Sequence, residues 1–355
     1  MLARRLGFFL LASLSIAASS FAGTVRIGVL SLFHPTELTV GPASQSVLVL
    51  EVAHRRIAVR EGSDARLRVA DGRVECRSGE FVLIGSMVRG EIQPGGPAAF
   101  TLSVPGRISR EYQGSLEVSV RDGVLVPVVV MDLELAVASA VAAESSPGAP
   151  PEALKAQAVA TRSYYFAAHR HTAFGFCDAT HCQFLREPPG ATSPAMIAAA
   201  STRGMVLTYR GKIVPALFSA SCGGRTRSLR DAGMAPQGYP YYSVACEYCL
   251  HHAPRWKTTL SLENDVDIQS GPGTEAWRLR IDRKLGWSAI PGNHYQLNAQ
   301  GDALIIQGSG QGHGVGLCQL GSAGMAAEGK AFQDILNYYF PNTSLADAAD
   351  AESSP

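Results

Sequence analysis

The hydrophobic pattern changes once along the chain, and this change constrains the fold more than any other feature. From Thr24 to about Leu133, short β-branched runs such as VRIGVL, SVLVLEV and GVLVPVVV alternate with Gly, Pro and Asp turns. Runs of this length and composition are typical of strands. The segment MDLELAVASAVAAE then brings apolar residues back at helical spacing, and the predicted helix ends at Glu144.

The second half of the chain is predicted to mix helices and strands. The segment EALKAQAVATRSYYFAAHRH, residues 152–171, follows Pro151, a favoured first-turn residue, and predicts a helix. The segment GMAAEGKAFQDILNYYF predicts one or two more. The sequence therefore predicts an α+β fold whose parts are a β-rich N-terminal domain at 23–129, a mixed α/β domain at 130–343 and a flexible tail at 344–355.

The N-terminal segment has the order of a secretory signal. MLARRLGFFLLASLSIAASSFAG contains two arginines, an apolar run from about Leu6 to Ala18, and small residues up to Ala22. The apolar run is too short for a membrane span. We expect a signal peptide at 1–22, no transmembrane segment in the mature chain, and localisation in the periplasm or cell-wall space. The alternative is a retained N-terminal anchor.

The charge balance argues against a nucleic-acid partner. The formal net charge is +1 at pH 7, and charged residues make up 17% of the chain. Nucleic-acid binding requires a basic surplus or a basic face. We therefore expect no nucleic-acid binding.

Seven cysteines in an exported chain need an explanation. Outside the cytosol, thiols are oxidised unless they pair or hold a metal. An odd number also means that the cysteines cannot all pair within one chain.

The segment FGFCDATHCQF, residues 174–184, suggests a metal site. Together with the preceding His171, its residues Cys177, His181 and Cys182 supply two thiolates and two imidazoles within twelve positions, a ligand set suited to tetrahedral zinc. A Cys177–Cys182 disulfide is the alternative. Because His181 and Cys182 are adjacent, both reach one ion only where the backbone is irregular. Four protein ligands leave no open position, so we expect this zinc to be structural.

Two glutamates flank the loop between the predicted helices. Glu144 and Glu152 lie at helix ends, where a rigid scaffold can present an acid to a substrate. A partly buried glutamate with a raised pKa can act as a general acid. The alternative is a solvated cap or a partner of the helix dipole.

A glycine-rich segment, GSGQGHGVGLCQLGSAG at 308–324, presents His313 among residues without side-chain bulk. Glycines allow the backbone to approach a ligand closely, and they equally allow two strands to cross tightly over a hydrogen-bonded histidine. The sequence leaves both interpretations open.

The segment SASCGGRTRS, residues 219–228, carries small polar residues and arginines suited to a sugar or anionic ligand. Its Cys222 can pair with Cys246, Cys249 or Cys318, which allow three disulfide connectivities or a second metal site. We favour a disulfide involving Cys222.

Several segments together resemble the SpoIID domain family, which is named for stage II sporulation protein D and shared with amidase-enhancer proteins. The matching segments, in the family's order, are PPEALKAQAVATRSYYFA, FCDATHCQ, TRGMVLTYRGKIVPALFSASCGGRTRS and GQGHGVGLCQLGSAGMAAEGKAFQDILNYYFP. The resemblance covers about residues 130–343.

The resemblance implies a peptidoglycan-directed protein that acts outside the cytoplasmic membrane. Characterised SpoIID proteins are lytic transglycosylases that act on glycan strands stripped of their peptides, whereas amidase enhancers modulate a separate hydrolase. By position, the family's catalytic glutamate falls on Glu144 and its second glutamate on Glu152. The family's zinc pattern falls on the four ligands proposed above. The family's Met-Pro is replaced by Ser145-Ser146 and its usual tryptophan by Ala149.

The resemblance leads to a mechanism that uses a single glutamate. Hydrolysing glycosidases generally need two carboxylates. A lytic transglycosylase needs no water, because one glutamate protonates the bridging oxygen and then removes the proton from the muramyl C6 hydroxyl. We expect Glu144 to take both roles, with Glu152 as second candidate. The residues expected to line the glycan groove are Ser219, Ser221, Arg225, His313 and Gln319.

Two other functions fit the same residues. The first is a non-catalytic module that grips glycan and recruits or stimulates a cell-wall amidase, which the altered loop after Glu144 favours. The second is a metallohydrolase, in which only three of the four proposed ligands bind the metal.

Overall fold

The computed structural model describes residues 23–43, 46–94, 99–168, 170–261 and 272–351. The predicted signal peptide at 1–22 lies outside the described residues. The predicted α+β class with a β-rich N-terminal region is confirmed. Within the described ranges, no helix is long and apolar enough to span a membrane.

Short strands fill the N-terminal region. Along these strands, buried apolar side chains alternate with more exposed residues. A single 3-10 turn follows the first strand, at Ser31–Phe33. The strands of this region are β1 (Thr24–Gly28), β2 (Glu37–Pro42), β3 (Val47–Val52), β4 (Arg55–Arg60), β5 (Ala65–Ala70), β6 (Arg73–Ser78), β7 (Phe81–Gly85), β8 (Met87–Ile92), β9 (Ala99–Val104), β10 (Ile108–Gln113), β11 (Ser115–Arg121) and β12 (Val124–Asp132).

These strands form two sheets that share one hydrophobic core. A six-stranded sheet has the order β10-β9-β2-β5-β6-β7. A seven-stranded sheet contains β1, β12, β11, β8, β3 and β4 in that order, and at its edge β13 (Phe176–Cys177) pairs in parallel with β1. The sheet edge therefore holds Cys177, one of the predicted metal ligands.

The chain passes directly from β12 into the first helix. Asp132 caps this helix, because its side chain accepts hydrogen bonds from the backbone N–H groups of Glu134 and Leu135 at 2.9 and 3.1 Å. The helices are α1 (Leu133–Glu144), α2 (Pro151–Ala167), α3 (Pro194–Ser201), α4 (Glu247–His252), α5 (Glu275–Leu285), α6 (Gln319–Ala327) and α7 (Phe332–Tyr339).

The C-terminal part adds three small sheets. Their strands are β14 (Met205–Tyr209), β15 (Lys212–Ile213), β16 (Phe218–Ser219), β17 (Arg255–Ser261), β18 (His294–Gln300), β19 (Ala303–Ser309), β20 (Leu317–Cys318) and β21 (Ser344–Asp347). The parallel pair β16 and β20 brings the SASCGGRTRS segment beside the glycine-rich segment. The two segments therefore share one end of the fold.

Two features of the predicted domain division change. The expected boundary between residues 129 and 130 falls within β12, and one hydrophobic core continues from Val129 through Met131 into Val137 of α1. Residues 344–347, expected to belong to the tail, form β21 and pair with β14 through antiparallel hydrogen bonds. Residues 352–355 of that tail lie outside the described part of the chain.

Candidate active site and metal clusters

Glu144 is the last residue of α1, as predicted, and its carboxyl is half-buried. The carboxyl accepts a hydrogen bond of 2.6 Å from the backbone N–H of Phe184. Burial raises the pKa of Glu144 above its ordinary value, and the Phe184 hydrogen bond opposes this only in part. The negative end of the helix dipole acts in the same direction as burial. A carboxyl with a raised pKa is suited to donating a proton.

A buried ion pair fixes the helix that carries Glu144. The Arg162 guanidinium of α2 donates to both carboxylate oxygens of Glu134 on α1, at 2.8 and 2.6 Å. It also donates to the carbonyls of Met205 and Ala199 at 3.0 and 3.1 Å. The sequence interpretation missed this pair. The sequence features that could have revealed the pair are a glutamate, Glu134, in a largely apolar helix and an arginine, Arg162, within α2.

Glu152 has a different environment from Glu144. It accepts a hydrogen bond from Lys155 at 2.6 Å and another from the backbone N–H of Phe332 at 2.9 Å. Lys155, followed by the Phe332 hydrogen bond, lowers the pKa of Glu152. Its carboxylate connects the start of α2 to the start of α7, so the geometry favours Glu144 over Glu152 as the acid.

The predicted zinc ligands converge. The ligand atoms of His171, Cys177, His181 and Cys182 all lie within 4.8 Å of one another. The Cys177 and Cys182 sulfurs are 3.4 Å apart, and the Cys182 sulfur lies 3.4 Å from Nε2 of His171. A tetrahedral zinc site places its ligand atoms about 3.3–3.8 Å apart, whereas a disulfide needs about 2.05 Å. The donor set and its spacing fit a four-ligand metal site.

The backbone around this cluster is irregular, as two adjacent ligands require. The predicted helix through His171 is too long, because α2 ends at Ala167 and His171 belongs to no helix or strand. A turn follows β13, in which the backbone N–H of Cys182 donates to the carbonyl of Ala179 at 3.0 Å. The contact between the two sulfurs lowers the pKa of Cys177 and raises the pKa of Cys182, and metal ligation by cysteine requires the thiolate.

The loop that carries Cys177, His181 and Cys182 also holds Glu144. Phe184, whose N–H binds the Glu144 carboxyl, follows Cys182 by two residues. Between the ligands, Asp178 accepts hydrogen bonds from the Leu30 N–H at 3.0 Å and from Arg110 at 3.4 Å, which tie the loop to the N-terminal sheets. The position of the candidate acid therefore depends on the order of this loop.

A cavity of about 150 Å³ opens beside the loop that follows Glu144. The residues that line it include Ser145, Ser146 and Ala149 of the loop, Gln157 of α2 and Gln319 of α6. Buried polar atoms of both glutamines, Oε1 of Gln157 and Nε2 of Gln319, have no hydrogen-bond partner in the described part of the protein. Both glutamines thus line the cavity, and each has one buried polar atom without a hydrogen-bond partner among the described residues.

Gln157 was not identified from the sequence, although a polar residue within AQAVA in α2 is the signal that could have found it. The cavity includes Gln319 of the five predicted groove residues. The other four are not among its described lining residues: Ser219, Ser221, Arg225 and His313.

The His313 ring is held by hydrogen bonds to the backbone. Its Nδ1 accepts a hydrogen bond of 3.0 Å from the Val315 N–H, and a further hydrogen bond joins its ring to the backbone of Phe218. Burial lowers the pKa of His313. At Gly316 a Cβ atom would lie 2.0 Å from the Leu217 carbonyl oxygen, so this glycine allows the close approach of two chain segments where β16 pairs in parallel with β20.

The SASCGGRTRS residues have separate environments. Ser219 Oγ is buried and has no hydrogen-bond partner among the described residues. Ser221 Oγ lies 3.5 Å from the sulfur of Cys249. Arg225 is exposed and donates to the Ser243 carbonyl at 3.4 Å.

The disulfide expected at Cys222 is absent from the structure of the described residues, in which all seven cysteines are free thiols. Cys222 instead converges with three other buried cysteines, whose sulfur atoms all lie within 4.8 Å of one another: Cys246, Cys249 and Cys318. This second cluster was one of the two alternatives left open by the sequence. Cys246-Glu-Tyr-Cys249 has the C-x2-C spacing typical of metal knuckles, a signal that the sequence interpretation did not use.

Comparison with known proteins agrees with this architecture. The family model "Stage II sporulation protein" (SpoIID) matches residues 121–209, which contain α1, α2 and the first metal-ligand cluster. The chain belongs to the SpoIID family.

The relatives come from two bacterial genera. An uncharacterised protein of Brachyspira hyodysenteriae is 31% identical over 67% of this chain and 73% of its own length. Stage II sporulation protein D of Bacillus subtilis is 26% identical over 61% of this chain and 75% of its own. The protein of the same name from Bacillus amyloliquefaciens is 25% identical over 61% of this chain and 74% of its own.

Proposed function

We propose that the protein is an exported peptidoglycan lytic transglycosylase and that Glu144 is its general acid and base. The observation that carries the proposal is the half-buried Glu144 carboxyl, whose pKa burial raises, directly before a loop that lines a cavity. Membership of the SpoIID family supports this choice of substrate and reaction. The signal-like pattern at residues 1–22 supports a location in the periplasm or cell-wall space.

In the proposed reaction Glu144 acts twice. Its protonated carboxyl donates the proton to the glycosidic oxygen while the bond between that oxygen and the muramyl C1 breaks. The resulting carboxylate then accepts the proton of the C6 hydroxyl, whose oxygen forms a bond to C1 and closes a 1,6-anhydro ring. Glu144 ends protonated, and no water is consumed.

The cavity supports a single-carboxylate mechanism. The described residues that line it include no carboxylate, and Glu144 directly precedes the lining residue Ser145. A hydrolase of the usual kind needs a second carboxylate to activate water or to attack the sugar. The unpaired acceptor of Gln157 and donor of Gln319 match the hydroxyl and acetamido groups of an amino sugar, which both donate and accept hydrogen bonds.

The first metal-ligand cluster is proposed to hold a structural zinc ion. His171, Cys177, His181 and Cys182 would be its ligands, and the ion would fix the loop that places the Phe184 N–H on Glu144. All four donor atoms converge, which argues against a metallohydrolase with a ligand position left open for water.

The proposal is tested by incubating the mature protein with glycan strands stripped of their peptides and identifying the soluble products by mass spectrometry. We expect products that end in 1,6-anhydro-muramic acid, released by the wild type and by Glu152→Gln but not by Glu144→Gln. Equal release by Glu144→Gln would contradict the assignment of the acid. Reducing-end sugars would indicate a hydrolase.

A second function is favoured by the loop that lines the cavity. Ser145, Ser146 and Ala149 are small where the family carries Met-Pro and tryptophan, so this wall of the cavity has little bulk. A glycan-binding protein that stimulates a cell-wall amidase would tolerate such a change. It predicts that folded, metal-loaded protein binds glycan and increases amidase activity without releasing products of its own.

A further inference from the structure

The second cysteine cluster joins three segments that are distant in sequence. Cys222 follows β16, Cys246 and Cys249 lie at the start of α4, and Cys318 ends β20 and caps α6. Each of the four side chains is at most 2% exposed. Four buried thiols at a junction of three segments point to a shared structural role.

The spacing of the sulfur atoms fits one bound ion. The four sulfurs lie within 4.8 Å of one another, and those of Cys249 and Cys318 are 3.2 Å apart. A single tetrahedral zinc ion with zinc–sulfur distances of about 2.3 Å places its sulfurs about 3.8 Å apart. A disulfide would bring one pair to about 2.05 Å and leave the other two thiols aside.

Hydrogen-bond donors surround the sulfurs in the manner of a metal site. The Cys318 sulfur accepts from the backbone N–H groups of Cys222 at 3.3 Å and Gly321 at 3.4 Å. The hydroxyl of Ser221 lies 3.5 Å from the Cys249 sulfur, and that of Tyr339 lies 3.2 Å from the Cys246 sulfur. Such outer contacts orient thiolate ligands. All these donors are neutral, so ionised cysteines here need a cation to balance their charge.

Helix α6 is shaped to approach this cluster. At Gly321 a Cβ atom would lie 2.4 Å from the Cys246 sulfur, and at Gly324 it would lie 2.3 Å from the Tyr248 ring. Any larger residue at these positions would displace α6 from α4. The glycines therefore keep Cys318 within reach of the other three sulfurs.

We propose that Cys222, Cys246, Cys249 and Cys318 bind a second zinc ion. The bound ion, instead of a disulfide, would protect these thiols from oxidation outside the cytosol. It also accounts for the odd number of cysteines, because six then bind metal and the remaining one, Cys76, is fully buried in β6 of the N-terminal core. The ion would also fix Gln319, the neighbour of Cys318, at the cavity beside Glu144; the importance of this effect rests on the proposed function.

The test is metal stoichiometry of the full mature chain, purified without chelator, measured by plasma mass spectrometry. We expect two zinc ions per chain in the wild type. One is expected in Cys249→Ser, one in a His171→Ala/Cys182→Ser variant, and none in the triple variant. Cys76→Ser is the matched control, a buried cysteine outside both clusters, and is expected to keep two. This readout is independent of any glycan cleavage, so it can fail while the proposed function stands.

A second measurement does not require any substitution in the second cluster, so it remains informative if Cys249→Ser folds poorly. In the His171→Ala/Cys182→Ser chain with the second cluster intact, cobalt is expected to give the intense thiolate charge-transfer and tetrahedral ligand-field bands of four sulfur ligands. One zinc ion per wild-type chain, or disulfides among these four cysteines mapped under non-reducing conditions, would overturn the proposal. Iron in place of zinc would overturn the identity of the ion.

Discussion

At the scale of single residues, Glu144 and Glu152 are predicted to respond to mutation in opposite ways. The folded state raises the pKa of Glu144. The protonated carboxyl therefore contributes stability below its unfolded-state pKa, and this contribution is lost as the pH rises through the folded-state pKa, because the buried carboxylate is costly. Glu144→Gln removes this cost and keeps an acceptor for the Phe184 N–H. We expect it to raise Tm at pH 7 while it lowers glycan cleavage about 100-fold to 10,000-fold.

Glu152→Gln is the control for this prediction. Its pKa is lowered in the folded state, so its contribution to stability is present above the unfolded-state pKa and lost as the pH falls through the folded-state value. The side chain is partly exposed, and we expect a loss of less than about 1 kcal/mol at neutral pH with cleavage retained. Thermal unfolding and product release measure both effects. A lower Tm for Glu144→Gln would assign that residue a structural role instead.

The pH profile provides a second prediction at this scale. Because Glu144 must be protonated to donate to the glycosidic oxygen, kcat/KM is expected to fall as the pH rises through its pKa. Burial raises that pKa, so the falling limb should lie at higher pH than an ordinary glutamate would give. Initial rates of anhydro-product release across the pH range measure the limb. A rate that stays constant through this range would argue against an acid at Glu144.

At the scale of secondary-structure elements, the Glu134–Arg162 pair is predicted to hold α1 against α2. Arg162 is fully buried, so Arg162→Met leaves the Glu134 charge without its partner and should cost about 3–5 kcal/mol. Arg56→Met is the matched control, because Arg56 forms an exposed pair with Glu51 and should cost less than about 1 kcal/mol. Denaturant unfolding compares the two. Similar small losses would mean that the buried pair does not position α1.

How far these elements could be predicted depends on whether the determinants are local. The end of α1 at Glu144 follows from apolar spacing, and the first metal cluster follows from ligands that are close in sequence. The end of α2 at Ala167 was missed, because the sequence up to His171 has no strong helix-breaking residue. The second cluster unites Cys222 and Cys318 across β16 and β20, and only the folded chain shows that pairing.

Local composition also cannot decide the role of a residue with two plausible environments. His313 was equally compatible with a ligand site and a hydrogen-bonded structural role, and the folded chain shows its bonds to Val315 and Phe218. Gln157 looked like an ordinary polar residue of α2. Its importance depends on the loop and on α6 enclosing the same cavity.

At the scale of the whole molecule, the first metal-ligand cluster is predicted to couple the N-terminal sheets to the candidate active site. His171→Ala removes one ligand, frees the loop that carries Asp178 and Phe184, and should lower both Tm and cleavage. For a chain of this length, a loss of about 3 kcal/mol corresponds to a fall in Tm of about 4 °C. Thermal unfolding before and after adding zinc to chelated wild type and variant measures this, with recovery expected for the wild type. An unchanged His171→Ala protein would contradict the coupling.

The reaction assigned to this site differs from hydrolysis in the origin of one oxygen atom. Glycan cleavage in water enriched in oxygen-18, followed at once by mass spectrometry of the products, tests that difference directly. An intramolecular ring closure assisted by Glu144 predicts products that carry no label and are lighter than hydrolysis products by one water. Products that contain one labelled oxygen at the muramyl C1 would contradict the account.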